Sequence, residues 1–239
     1  MKIYGNINFF YFLIKNLSLL GPHRRKILAL KAAGKKEEER QAIYEVCNYF
    51  VDKVMKKLNW KMNIINPENL PEKGPVVYVS NHQSYVDIAV FLHIPKHQVG
   101  LIAKEELTKI PIFSKWALII EGLFIKRGDA RASLATINEG AEKLKDGYSL
   151  VIFPEGTRSQ SMEMGEFKAG AIKLATKAKA TIIPATIKNS YKAFEEKGTI
   201  QKDKTIDILI HEAIDTSKLD RKELAELNDR LENTIRRGL

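Results

Sequence analysis

The stretch Pro75-Val76-Val77-Tyr78-Val79-Ser80-Asn81-His82-Gln83-Ser84-Tyr85-Val86-Asp87 decides how the rest of the chain is read. Its first half is a short apolar run rich in β-branched residues. The run follows the turn-rich Asn66-Pro67-Glu68-Asn69-Leu70-Pro71-Glu72-Lys73-Gly74 and predicts a buried strand. The second half turns polar at once, with His82 five residues ahead of Asp87. A polar pair at the carboxyl end of a buried strand is where α/β proteins place their chemistry. An imidazole with one free nitrogen serves as a general base. A carboxylate on the other nitrogen fixes its tautomer and steadies the imidazolium.

Outward from this turn the elements alternate. A short helix is expected over 84–93, a strand over 98–103, a helical pair around Pro111 and a strand over 122–126. Helix 130–146 carries the stripe Leu134, Ile137, Ala141, Leu144 and stops at Gly147. Strand 149–153, helix 169–178 and strands 181–187 and 205–211 follow. A C-terminal helix shows Leu224, Leu227, Leu231 and Ile235 on one face. Strands spaced by helices give an α/β fold with a mixed, largely parallel sheet covered by helices. The main domain is set at residues 66–239 and an N-terminal two-helix segment at 1–65.

Charge sharpens that division. The 239-residue chain has a net charge of +10 and 44% apolar residues, enough for a globular core. Residues 1–36 hold eight Lys or Arg and no acidic residue, leaving 31 basic against 29 acidic groups elsewhere. Residues 3–20 are apolar and aromatic, but Asn6, Asn8 and Lys15 interrupt them. That length falls short of the roughly 20 apolar residues a spanning helix needs. With His23-Arg24-Arg25-Lys26 following, the segment reads as an amphipathic, interfacial anchor for an anionic membrane surface. The second helix runs from Glu38 to Trp60, and a hairpin with the first closes around Gly34. Cys47, the one cysteine, falls on its apolar stripe as a packing residue, so no internal disulfide forms. His93 and His97 have a metal-ligand spacing, but Pro95 breaks the helix between them and no third ligand is evident.

Three further polar segments fall at strand ends. Lys104 closes one strand and Arg127 follows another. The block Phe153-Pro154-Glu155-Gly156-Thr157-Arg158-Ser159 follows a third, and Ile183-Pro184 lies in a fourth strand. Basic groups converging with a Gly-containing loop suit a phosphate, and Arg suits it best because its fork is bidentate.

In this order the motifs resemble the glycerolipid acyltransferases, specifically the 1-acyl-sn-glycerol-3-phosphate acyltransferases. The matching elements are Asn81-His82-x-x-x-x-Asp87, Lys104-x-x-Leu107, Gly122-x-Phe124-Ile125-x-Arg127, the Phe153–Ser159 block, Phe167-Lys168-Ala169-Gly170 and Ile183-Pro184. They span about residues 75–190. Ser114 stands where a Gly is frequent and Lys126 where an acidic residue is common. The resemblance implies an α/β acyltransferase domain that moves a fatty acyl group from a thioester, acyl-CoA or acyl carrier protein, to the 2-hydroxyl of lysophosphatidic acid. In that scheme His82 is the general base and Asp87 orients it. Glu155, Gly156, Thr157 and Arg158 form the acceptor site, with Lys104 and Arg127 joining Arg158 on the phosphate. Amides of the His82 turn or Lys104 are the candidate oxyanion donors. No metal or other cofactor is implied, and the location implied is the cytoplasmic face of the cell inner membrane, held monotopically or peripherally. Glycerol-3-phosphate or another lysophospholipid is the alternative acceptor. A non-enzymatic basic protein binding membrane or nucleic acid is the reading from a different class. The near-neutral main domain speaks against a nucleic-acid partner.

Overall fold

The computed structural model describes residues 2–126, 128–168 and 170–239. Helix α1 (Lys2–Leu19) breaks at Gly21-Pro22 into α2 (Gly21–Ala32), and α3 (Lys36–Leu58) follows a turn in which Gly34 takes φ +69°. A side chain is strained in that left-handed conformation and a glycine is not. Strand β1 (Lys61–Ile65) precedes β2 (Val76–Ser80), and α4 (Val86–His93) leads to β3 (Val99–Lys104). A short 3-10 turn and α5 (Pro111–Ile119) lead to β4 (Leu123–Ile125), α6 (Ala130–Lys145) and β5 (Ser149–Ile152). The chain ends through α7 (Lys173–Ala178), β6 (Thr181–Lys188), β7 (Thr205–Ile210), β8 (Ile214–Asp215) and α8 (Arg221–Arg237).

The strands form one sheet in the order β1-β7-β6-β2-β5-β3-β4, with β8 pairing with β6. Strands β6, β2, β5, β3 and β4 are mutually parallel, so their carboxyl ends share one edge. Strand β7 runs antiparallel to β6, and β1 runs parallel to β7. Side-chain alternation places the core on both faces. Tyr78 and Val151 join Val86, Val90 and Phe91 of α4 and Val54 and Leu58 of α3. Val77, Val79, Leu150 and Ile152 join Leu144, Leu174, Leu227, Leu231 and Ile235 on the other face. Both faces of β2 are therefore dry, which explains its unbroken apolar run.

Two features of the N-terminal region differ from the sequence expectation. The boundary at 65 falls too late, because residues 61–65 pair with Thr205–Leu209 as the edge strand of the main sheet. Their alternating exposure, with Met62 and Ile64 packed inward, is too short a pattern to read against the long helix before it. There are also three helices, since Gly21-Pro22 divides the first into α1 and α2, and the hairpin around Gly34 is formed by α2 and α3. All three dock on the main domain. Leu17, Leu20, Ile27, Ile43 and Val46 pack with Ile119 and Ile120 at the end of α5. The buried Glu121 carboxylate is bridged by Lys31 of α2 and by Lys143 of α6 at 2.5 Å. Asn6, which interrupts the apolar run of α1, donates to Gly198 O at 2.8 Å and accepts from Ile200 N at 3.0 Å. Cys47 is buried in this packing, and burial pushes its thiol pKa up to about 12.

His97 follows α4 and stacks on the buried Tyr78 ring. Burial holds its pKa down at about 4. The folded state keeps this imidazole neutral while the unfolded chain protonates it near pH 6.5, so stability falls as pH drops from about 6.5 toward 4. The contribution is at most about 1.4 kcal/mol per pH unit. Denaturant unfolding at pH 7 and pH 5 is expected to give a smaller loss on acidification for His97→Phe than for the unaltered chain. An identical loss in the two proteins contradicts the assignment.

Candidate active site

The motif residues meet at the carboxyl edge of the parallel strands. Strand β2 hands the chain to Asn81, whose side chain donates to Ile187 O and accepts from Ile187 N, both at 2.8 Å. This two-point bond ties the turn to β6 and aims the next residue, His82, out of the sheet. Its Nδ1 donates to Asp87 Oδ2 at 2.7 Å. Among the described residues its Nε2 meets no partner, and the side chain is 15% exposed. The imidazole stacks on Phe153 at 4.1 Å between centroids, and Phe153 meets Phe91 edge-on. One ring nitrogen is therefore held and the other is presented.

Asp87, on the first turn of α4, has a fully buried side chain. Its Oδ2 also accepts from Gln83 N at 2.7 Å and Ser84 N at 2.9 Å. Three donors converge on this one buried oxygen and fix the carboxylate's position. The neighbouring amides are engaged as well. His82 N donates to Glu155, Tyr85 N to Glu195, and Val86 N to Ser84 Oγ. Five consecutive amides, from His82 to Val86, are thus committed inside the protein. Of the two oxyanion donors expected from the sequence, the turn amides are engaged elsewhere, while the Lys104 side chain is exposed at the end of β3.

The Phe153–Ser159 block follows β5, the strand beside β2, and pins itself to the His82 turn. Glu155 accepts from His82 N at 2.6 Å through one oxygen and from Gly165 N at 2.8 Å through the other. Ser159 N donates to His82 O at 2.8 Å. Burial pushes the Glu155 pKa up, partly offset by those two N–H donors. Both Glu155 oxygens are held by backbone, so the carboxylate clamps the two loops together. Gly156 takes φ +68°, and an added Cβ would lie 2.9 Å from the Lys168 ammonium. Thr157 is exposed on the same turn. The Arg158 guanidinium lies 3.5 Å above the Tyr85 ring and donates to Glu195 Oε1 at 2.7 Å.

His82, Asp87, Glu155, Gly156, Thr157 and Arg158 thus form one connected group. Lys104 stands at the same sheet edge, joined to it by no hydrogen bond. Arg127 lies outside the described residues. Sequence reasoning missed Phe153 as a ring support, and it missed Tyr85, Lys168 and Glu195. Tyr85 and Lys168 sat inside quoted motifs. Glu195 had no signal, because Phe194-Glu195-Glu196-Lys197 reads as a solvated charged run. Among the described residues no three His, Cys, Asp or Glu side chains come together to hold a metal.

A family model described as Acyltransferase matches residues 61–188. The chain is 37% identical over 164 residues to a chloroplast 1-acyl-sn-glycerol-3-phosphate acyltransferase of Arabidopsis thaliana. That alignment covers 67% of this chain and 46% of the relative. It is 35% identical over 146 residues to a probable 1-acyl-sn-glycerol-3-phosphate acyltransferase of Mycoplasma pneumoniae, covering 59% and 54%. The chain spans about half the length of these curated relatives. The crystal structure of a 1-acyl-sn-glycerophosphate acyltransferase from Thermotoga maritima superposes with a TM-score of 0.74 at 27% identity, over 94% of this chain and 95% of that one.

The Glu155 clamp has a direct test. Glu155→Gln turns an N–H donor of its amide toward one of the two backbone amides it now accepts from. A stability loss of about 1–3 kcal/mol in denaturant unfolding is expected, with faster amide exchange at His82 and Gly165. Unchanged exchange at both sites contradicts the clamp.

Proposed function

This chain belongs to the Acyltransferase family, and on that premise we propose that it transfers a fatty acyl group from an acyl thioester to the 2-hydroxyl of lysophosphatidic acid, giving phosphatidic acid. The observation that carries the reading is the buried Asp87 holding His82 by Nδ1 and leaving Nε2 toward solvent. His82 Nε2 takes the proton of the acceptor hydroxyl as its oxygen attacks the thioester carbonyl. The tetrahedral intermediate then expels the thiolate, which receives the proton back from the imidazolium. Asp87 steadies that imidazolium. A thioester is already activated, so no enzyme nucleophile is required, and Cys47 is buried among apolar residues of the N-terminal helices. Arg158 is the principal phosphate anchor in this proposal. Lys104 and Lys168 are the nearby cations, and Lys104 is the remaining oxyanion candidate. Glu155 acts on the acceptor indirectly, by holding the Gly156–Arg158 turn against His82. No cofactor beyond the acyl donor, on coenzyme A or a carrier protein, enters the scheme.

A membrane supplies the acceptor in this reading. Ile7, Phe10, Tyr11 and Ile14 of α1 are all exposed at i, i+3, i+4, i+7 spacing, with Leu19 and, on α5, Leu118 also exposed. Among the described residues no helix is long and apolar enough to cross a bilayer. Lodging that stripe in one leaflet, with the Arg24-Arg25-Lys26 cluster at the head groups, supports peripheral attachment at the cytoplasmic face of the cell membrane.

His82→Ala is expected to lower turnover with lysophosphatidic acid by at least about 10²–10⁴-fold while far-UV circular dichroism stays unchanged. Wild-type turnover in that variant refutes the general base. Wild-type protein offered lysophosphatidic acid, glycerol-3-phosphate and lysophosphatidylcholine, each with acyl-CoA and with acyl carrier protein, is expected to prefer the first acceptor. Preference for another acceptor reassigns the substrate. Phe10→Asp combined with Ile14→Asp is expected to weaken sedimentation with phosphatidylglycerol vesicles by at least about tenfold, equivalent to roughly 1.4 kcal/mol. Unaltered sedimentation contradicts the anchoring face.

A further inference from the structure

Glu195 lies in the segment after β6, beyond the last motif, and its side chain is 2% exposed. One oxygen, Oε1, receives two donors: Arg158 Nη1 at 2.7 Å and Tyr85 N at 3.1 Å. The first donor belongs to the Phe153–Ser159 block. The second belongs to the turn that carries His82. The other oxygen is buried and has no hydrogen-bond partner among the described residues. The same guanidinium sits over the Tyr85 ring, which packs tilted against Phe194. Arg158 is therefore fixed in plane by the Glu195 contact and in tilt by the Tyr85 ring.

A guanidinium carries five N–H donors, and this pairing engages it at Nη1 alone. A partner-free Arg on a loop would sample many rotamers before each phosphate encounter. A carboxylate shared with the catalytic turn removes that freedom and sets the distance from the bound phosphate to the base.

We propose that Glu195 is a positioning residue that fixes the separation between His82 and Arg158, and so makes the site selective for an acceptor whose hydroxyl and phosphate monoester stand that far apart. This rests on the acceptor reading above. Its opposite is also physical: a buried carboxylate beside the phosphate site would repel the dianion, and its removal would then tighten acceptor binding. The same Glu195–Arg158 pair serving only to hold the 189–200 segment in place would affect all acceptors alike.

The experiment compares lysophosphatidic acid with 1-acylglycerol, which keeps the 2-hydroxyl and carries a free 3-hydroxyl in place of the phosphate, in four proteins: wild type, Glu195→Gln, Arg158→Ala and the double variant. Thermal unfolding confirms that each is folded. In Glu195→Gln the ratio of kcat/KM for the two acceptors is expected to fall about tenfold, through the KM for lysophosphatidic acid. In the Arg158→Ala background the same substitution is expected to move the ratio by less than about twofold, because Glu195 acts through Arg158. Should Glu195→Gln not fold, Glu195→Asp, which withdraws the charge by one methylene, is expected to shift the ratio in the same direction. A lowered KM for lysophosphatidic acid, an equal effect on both acceptors, or an undiminished effect in the Arg158→Ala background each overturns the proposal. Absence of transfer to lysophosphatidic acid by the wild type overturns the function proposed above instead, and is seen before any variant is measured.

Discussion

A single carboxylate oxygen, Asp87 Oδ2, accepts from His82 Nδ1, Gln83 N and Ser84 N within a fully buried pocket. The same contact ties the start of α4 to the turn before it, folds the chain back after β2 and selects the imidazole tautomer. Burying a carboxylate without partners is costly, and three donors offset that cost here. The arrangement also fits the five-residue spacing: Asp87, in the first turn of α4, faces backward onto the amides that precede it. Local structure and proposed chemistry thus share one hydrogen-bond acceptor.

The sheet supplies the remaining geometry. Because β6, β2, β5, β3 and β4 run the same way, every segment that leaves their carboxyl ends emerges at one edge. Residues far apart in the chain become neighbours without long loops. Asn81 anchors the His82 turn to β6, Glu155 anchors the β5 loop to the His82 turn, and Glu195 reaches back from beyond β6 to the turn and to Arg158. These polar side chains, each bonded to backbone of a segment other than its own, knit the edge into one cluster. Asn6 of α1 bonds the Gly198–Ile200 backbone in the segment that also carries Glu195, so the face proposed to meet the membrane is physically continuous with the proposed acceptor side of the site.

Much of this was legible before any coordinates. Periodicity alone placed the helix and strand alternation over 75–188, since both faces of the central strands are covered and their apolar runs are unbroken. The first strand was not legible: β1 has five residues of mixed polarity and its pairing partner lies about 140 positions away. The resemblance of the ordered motifs points to His82, Asp87 and Arg158, and the structure brings the three to one edge of the sheet. The resemblance implies Glu155 as a contact for the acceptor, and the structure places both its oxygens on backbone amides. A motif names a residue and leaves open which way it faces. Glu195 and Glu196 are indistinguishable in sequence, and only the fold buries the side chain of one while exposing the other.

The tautomer of His82 carries the account. With ¹⁵N-labelled protein at neutral pH, the imidazole is predicted to show a protonated Nδ1, held on Asp87, and an unprotonated Nε2 free to accept the hydroxyl proton. A resting state with the proton on Nε2 and a bare Nδ1 would contradict the assignment of His82 as the base and of Asp87 as the group that sets it.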